Sequence, residues 1–275
     1  MPPTVSVKEV LEFLNRLAPP SLAEDWDNVG LQAGSLKEKV KGVLVSLDVT
    51  EKVLQEALRS GANVLVTHHP LFFRSTKRVD DSTEALRLAK RAIQKNIQVL
   101  SFHTNLDSTQ EGLNDLLAKK LGLQKVKALI PSRDPKHPRA GLGRIGSLRK
   151  TSLRAFLKQV SQALNLRHFR YVGNLDCLLQ KVAVITGSGA EYFPEAKEAG
   201  AEVLVTGDAK YHGALDAFAE GIALVDVGHF ASEIGMVSLV GEKLRRWSMQ
   251  KRLGIKIFET TVQEDPFRFW SKESG

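Results

Sequence analysis

The apolar run Gly61-Ala62-Asn63-Val64-Leu65-Val66-Thr67 returns 139 residues later as Gly200-Ala201-Glu202-Val203-Leu204-Val205-Thr206, identical at six of seven positions without a gap. A chain that repeats a β-branched strand together with its leading glycine reads as two related α/β halves. The two copies continue differently: His68-His69-Pro70 after the first, Gly207-Asp208-Ala209 after the second. In open α/β sheets, ligands gather beyond the carboxyl ends of the strands. Imidazoles at that position mark where chemistry is expected.

The rest of the chain alternates strand and helix. Ser6-Val7-Lys8-Glu9 is a capping box opening an amphipathic helix, with Val10, Phe13, Leu14 and Leu17 on one face and Pro19-Pro20 as its stop. Val43–Leu47 reads as a buried strand. Asp48 or Thr50 caps the next helix, and Gly61 ends it. Strands at Ile97–Phe102, Gly141–Leu148, Phe169–Val172, Val182–Thr186, Ile222–Val227 and Ile255–Thr261 alternate with helices, the last from about Ala231 to Gln250. Alternation with apolar strands predicts an α/β fold with parallel-rich sheets covered by helices. Pro131–Pro138, rich in proline and charge, reads as the domain junction. Residues 1–130 then form the first half, completed by 236–275, and 131–235 form the second.

The repeat extends to a second strand: Ile97–His103 lies over Ile222–Gly228, offset by 125 because the second connecting helix is shorter. Asp107 falls opposite Ser232, one residue before Glu233. Each half thus places ligand-type residues just after the same strand, and a pseudo-twofold pairing of the halves would bring both sets to one cleft.

Bulk properties narrow the class. With 275 residues, 43% hydrophobic and 25% charged, the chain has the composition of a soluble globular protein. No stretch approaches the ~20 apolar residues of a membrane span. Met1–Ser6 shows no secretory signal. The single Cys177 excludes an internal disulfide and fits a reducing, cytoplasmic setting; it reads as a small buried apolar residue. The formal charge of +8 admits nucleic acid or a small anionic substrate as partner. The basic clusters at Lys37–Lys41, Lys119–Lys127, Arg133–Arg144 and Arg245–Arg252 are not interleaved with aromatics, as single-strand stacking platforms are. That keeps nucleic acid a weak reading.

Five residues carry the site reading: His68, His69, Asp107, His229 and Glu233. His229 and Glu233 are four apart at a strand-to-helix junction, so one helical turn puts them on one face. Imidazole nitrogen with carboxylate oxygen suits zinc, iron, manganese or cobalt. Adjacent histidines on an extended backbone point apart, which favours two ions, one each, with Asp107 or Glu233 bridging. Two metals ~3.5–4 Å apart activate a shared water and polarise a substrate oxygen. The bland alternatives are a surface His-His pair and a minor helix contact.

Three segments then add specificity: Thr67-His68-His69-Pro70-Leu71-Phe72-Phe73, His103-Thr104-Asn105-Leu106-Asp107 and Gly228-His229-Phe230-Ala231-Ser232-Glu233. They resemble, in order, the signatures of the Nif-three-like dinuclear-metal family, also called GTP cyclohydrolase 1 type 2 homologues. Glu24–Leu31, Gly143-Arg144-Ile145-Gly146 and Gly207–His212 match further blocks, so the resemblance covers nearly the whole chain. It implies two interlinked α/β domains without the middle domain that longer members insert. It also implies a toroidal homohexamer and two divalent ions per chain (zinc, iron or manganese), held by His68, His69, Asp107, His229 and Glu233. His103 and His212, inside family motifs, are candidates to steady the ligands or carry protons, with a structural role the alternative.

The activity implied is metal-dependent hydrolysis of a nucleotide-like or phosphorylated small molecule. The cyclohydrolase name points to the purine five-membered ring, and phosphoester or amide hydrolysis is chemically equivalent in plausibility. A non-catalytic metal-binding ring acting as a protein-interaction adaptor, and a DNA-binding ring, are the alternatives of other classes. Gly187-Ser188-Gly189 reads as a tight turn or a phosphate cradle, Trp26 as packing rather than a stacking platform, and His137 and His168 as bystanders.

Overall fold

The computed structural model describes residues 4–78 and 80–270. The first three residues of Met1–Ser6 therefore lie outside the described residues, and with them part of the reading that no secretory signal is present. The chain divides into two compact units. The first comprises the residues up to Leu113, Ser132–Ala140 and Gly235–Gln263; the second comprises Asn114–Pro131, Gly141–Ile234 and the segment from Glu264. Residues 114–131 and 264–270 thus lie with the second unit, and Ser132–Ala140 with the first, whereas the sequence pattern divides the chain at 130.

In the first unit β1 (Gly30–Ala33), β2 (Gly42–Ser46), β3 (Val64–Thr67) and β4 (Gln98–Ser101) are joined by helices at Glu51–Ser60 and Glu84–Gln94. The second unit holds β5 (Gln124–Pro131), β6 (Gly141–Ser152), β7 (Arg170–Val172), β8 (Leu178–Ser188), β9 (Val203–Gly207) and β10 (Ala223–Asp226). The chain then returns to the first unit with β11 (Lys256–Glu259). The first sheet has the order β1-β4-β3-β2-β11, with only β1 antiparallel to its neighbour. The second, β5-β6-β8-β9-β10-β7, is parallel only across β8, β9 and β10.

The two cores share one topology. β2-β3-β4 with antiparallel β1 on its flank matches β8-β9-β10 with antiparallel β7 on its flank. Register reproduces the sequence offsets: Val64 faces Gln98 and Val203 faces Ala223. The second sheet adds antiparallel strands to its parallel β8-β9-β10 core. β5 and β6 are antiparallel, pairing Pro131 with Gly141, and β5 is mostly exposed, as an edge strand permits.

Local chemistry explains the elements. Ser6 and Glu9 form the expected capping box. Thr50, not Asp48, caps the helix after β2 by accepting from the Val53 amide at 3.2 Å. Gly61 ends that helix at φ 75°, in the left-handed region open to glycine. Alternate residues of β8–β10 build cores on both sheet faces: Val182, Val184, Val203 and Val225 with Phe156 and Val160, and Ala183, Ile185, Leu204 and Leu224 with Ala196 and Ala217. Burial on both faces is what continuous apolar strands require. Buried Arg144 on β6 is neutralised by a bidentate bond to Asp115, both arms 2.8 Å, and donates to the Gly141 and Gly143 carbonyls. Among the described residues no helix is long and apolar enough to cross a membrane.

Candidate metal centre

Beyond β3 the amides of His68 and His69 both donate to the Leu47 carbonyl, at 3.1 and 3.0 Å. Two consecutive amides on one acceptor curl the backbone out of the extended form. The expectation that the two rings point apart is therefore overturned: their centroids lie 5.2 Å apart. His103, two residues past the end of β4, brings a third ring to 5.1 Å from His68 and 5.6 Å from His69. One ligand nitrogen from each of the three lies within 4.8 Å of the others. Asp107, on the helix Thr104–Ser108, places Oδ2 3.7 Å from His68 Nε2. That is too long for a hydrogen bond and near the separation of two donors each about 2.1 Å from one ion.

The other nitrogen of each ring is held by an oxygen. His68 Nδ1 lies 2.9 Å from the Phe102 carbonyl, His69 Nδ1 2.7 Å from Asp48 Oδ1, and His103 Nδ1 2.9 Å from Asp27 Oδ1. An oxygen at Nδ1 fixes the proton there and sets the direction of Nε2, the usual support of a ligating histidine. Asp27 also accepts from the Thr104 amide at 3.0 Å and from its hydroxyl. Burial works against its charged form. The hydrogen bond and charge of His103, with the Thr104 bonds, outweigh burial and pull Asp27 down to about 2.

In the second unit the helix His229–Glu233 puts His229 Nε2 3.0 Å from Glu233 Oε2, the one-face arrangement expected of the four-residue spacing. Here too Nδ1 meets a carboxylate, Asp208 Oδ2 at 2.7 Å. Asp208 sits just past β9 at φ 52°, a region rarely adopted by residues other than glycine. Glu233 is buried against Gly187, where a Cβ would stand 2.3 Å from Glu233 Oε1. Gly187-Ser188-Gly189 is thus a close-approach turn. The Gly187 and Gly189 amides are already bonded to the Ser232 and Thr206 hydroxyls, at 3.0 and 2.9 Å, which removes the phosphate-cradle reading.

Among the described residues the remaining candidates join no cluster of possible metal ligands. His212 is exposed on the helix Tyr211–Ala219, its ring edge-on to Tyr211. His137 is in the Ser132–Ala140 segment beside Asp134, and His168 packs on Phe269. Cys177 is half-buried and packs against the Phe156–Val160 core. Trp26, expected to pack, is exposed. The orienting carboxylates Asp27, Asp48 and Asp208 are site residues that the sequence pattern alone does not single out. One signal exists for two of them: Asp48 and Asp208 each closely follow a strand end at the carboxyl edge of its sheet.

The model of DUF34/NIF3 (NGG1p interacting factor 3) aligns with residues 5–266. The chain belongs to the DUF34/NIF3 family. Among DUF34/NIF3 relatives, a Clostridium perfringens protein called GTP cyclohydrolase 1 type 2 homolog is 34% identical over 268 residues, covering 96% of this chain and all of the relative. A Bacillus cereus protein related to NIF3 has a solved structure with TM-score 0.91 at 28% identity, covering 98% of this chain and 100% of that one. The Staphylococcus aureus hypothetical protein SA1388 superposes with TM-score 0.90 at 29% identity, over 96% and 99% of the two chains.

Proposed function

We propose that this DUF34/NIF3 chain is a metal-dependent hydrolase of a nucleotide-like or phosphorylated small molecule. In this reading His68, His69, Asp107, His229 and Glu233 are the metal ligands. The observation that carries it is the treatment of four histidines: at His68, His69, His103 and His229, Nδ1 faces a carbonyl or carboxylate oxygen at 2.7–2.9 Å. An oxygen at every Nδ1 orients each ring in the way a ligating histidine requires. The relatives' printed name, GTP cyclohydrolase 1 type 2 homolog, supports the nucleotide class.

Divalent ions bound to these residues supply Lewis acidity and an activated water. The chain's residues do the rest. His68, His69 and His229 offer fixed Nε2 donors, and the carboxylates of Asp107 and Glu233 balance the ions' charge. Buried His68 and Glu233 (0% and 2% exposed) keep their donors out of competition with bulk water. His103, hydrogen-bonded to the ionised Asp27, is placed to accept a proton on Nε2 and to return it to a leaving group. The toroidal homohexamer belongs to the same proposal.

The test is turnover of a nucleotide and phosphoester panel by the metal-replete protein, with Asp107→Ala beside wild type. Metal-dependent turnover lost in the variant, with assembly intact by size-exclusion light scattering, supports the reading. Full activity in the variant, or no turnover by metal-replete wild type, refutes it.

A further inference from the structure

Two exposed aromatic rings stand at the histidine cluster of the first unit. Trp26 is 61% and Phe73 55% exposed. Both meet His103 edge-on, with centroids at 5.8 and 5.7 Å, and Phe73 also lies 6.4 Å from His69. Large apolar rings left in water beside a polar cluster are unexpected in a packing role. Residues beside each ring tie the two segments together. Asn28 donates to the Phe72 carbonyl at 2.8 Å, and the Phe72 amide is 3.4 Å from the Gln32 side chain. Asp27, next to Trp26, holds His103. Arg74, Lys77 and Arg78 follow Phe73 on the same exposed loop.

We propose that Trp26 and Phe73 are the recognition platform for a planar heteroaromatic ring, and that the ligand class is a mononucleotide whose phosphate is drawn to the Arg74–Arg78 loop. The two exposed rings lie 5.8 and 5.7 Å from the His103 imidazole, and Phe73 lies 6.4 Å from that of His69. A flat ring stacked there presents its polar edge to the cluster. Aromatic faces accept any such ring, so the platform sets class rather than base identity. The proposal rests on the hydrolase reading for its consequence but not for its binding.

The experiment is isothermal titration of the protein as purified, its metal measured by elemental analysis. The probes are guanosine, adenosine and nicotinamide mononucleotides, with ribose 5-phosphate as the ringless control. At least one ring-bearing probe is expected to bind about ten-fold or more tighter than ribose 5-phosphate. Trp26→Ala and Phe73→Ala each weaken that probe about ten-fold, the order of one lost base–aromatic stack. Trp26→Phe weakens it less than about three-fold, with metal content and oligomeric state unchanged throughout. Three results overturn the proposal: ribose 5-phosphate binding as tightly as the nucleotides, no nucleotide binding to metal-replete protein, or both alanine variants staying within about two-fold of wild type. A shift in oligomeric state at unchanged affinity likewise overturns it, by assigning the rings to contacts between chains. Nucleotide binding through Trp26 without any turnover by the metal-replete protein would sink the hydrolase reading and leave the platform standing.

Discussion

The carboxylate of Asp208 lies 2.7 Å from Nδ1 of His229, and Asp208 is the residue that the internal repeat aligns with His69. The same strand end therefore carries a candidate ligand in one half and the orienting group of a candidate ligand in the other. Asp48 performs the orienting role for His69, also at 2.7 Å. If these carboxylates support ligation, removing their charge must weaken metal binding without removing a ligand.

Asp208→Asn and Asp48→Asn are accordingly expected to lower metal affinity about 10- to 100-fold. Competition with a chromophoric chelator measures this, with far-ultraviolet circular dichroism unchanged. Affinity within about two-fold of wild type in both variants would rule out an orienting role.

His103 and His68 are neighbours with different expected roles. His68→Ala removes a ligand and should lower bound metal. His103→Ala should keep the metal and lose turnover about 100-fold or more, the range of a lost general acid–base. Equal loss of metal in both variants would make His103 a ligand instead.

Gly187 tests the packing behind Glu233. Its φ of 64° is costly for alanine, and the added Cβ would meet Glu233 Oε1 at 2.3 Å. Gly187→Ala is expected to destabilise the protein by about 1–3 kcal/mol and to lower metal content by displacing the carboxylate. Thermal unfolding and elemental analysis read the two effects separately.

Asp115 tests structure away from the site. It neutralises Arg144, which is only 1% exposed. Asp115→Ala leaves that guanidinium uncompensated and should cost about 3–5 kcal/mol, seen as a lower urea midpoint, while metal stoichiometry in the folded protein stays at the wild-type value.

Asp27 gives the pH dependence. Its folded pKa of about 2 lies below the ordinary 3.8, so its contribution to stability is fully present above pH 3.8 and is lost as pH falls through about 2. Asp27→Asn should therefore be less stable than wild type at about pH 5, and the gap should narrow as pH falls below 3.8. Urea unfolding of the metal-free proteins at several pH values shows whether it does. A gap independent of pH would mean that Asp27 contributes through shape alone.

Much of the fold and of the candidate site is legible in the sequence. The repeat predicts paired strand ends, and the register of Val64 on Gln98 and Val203 on Ala223 reproduces its two offsets. The His229–Glu233 pairing follows from helical spacing. The convergence of His68 and His69 does not, because it depends on both amides reaching the Leu47 carbonyl, a tertiary contact with no local signal. Asp48 looks like a helix cap in the sequence because cap and histidine partner use the same carboxylate chemistry; Thr50 takes the cap. The exposure of Trp26 is invisible for a similar reason, since a lone tryptophan in a polar turn reads as packing until its neighbours are known.

Whether these histidines and carboxylates hold metal is addressed most directly by elemental analysis of protein purified without chelator. Wild type is predicted to carry two divalent ions per chain, and the His68→Ala/His229→Ala double variant, folded by circular dichroism, to carry neither in full. Wild type that stays metal-free after incubation with zinc, iron and manganese, or a double variant that keeps the wild-type complement, would contradict it.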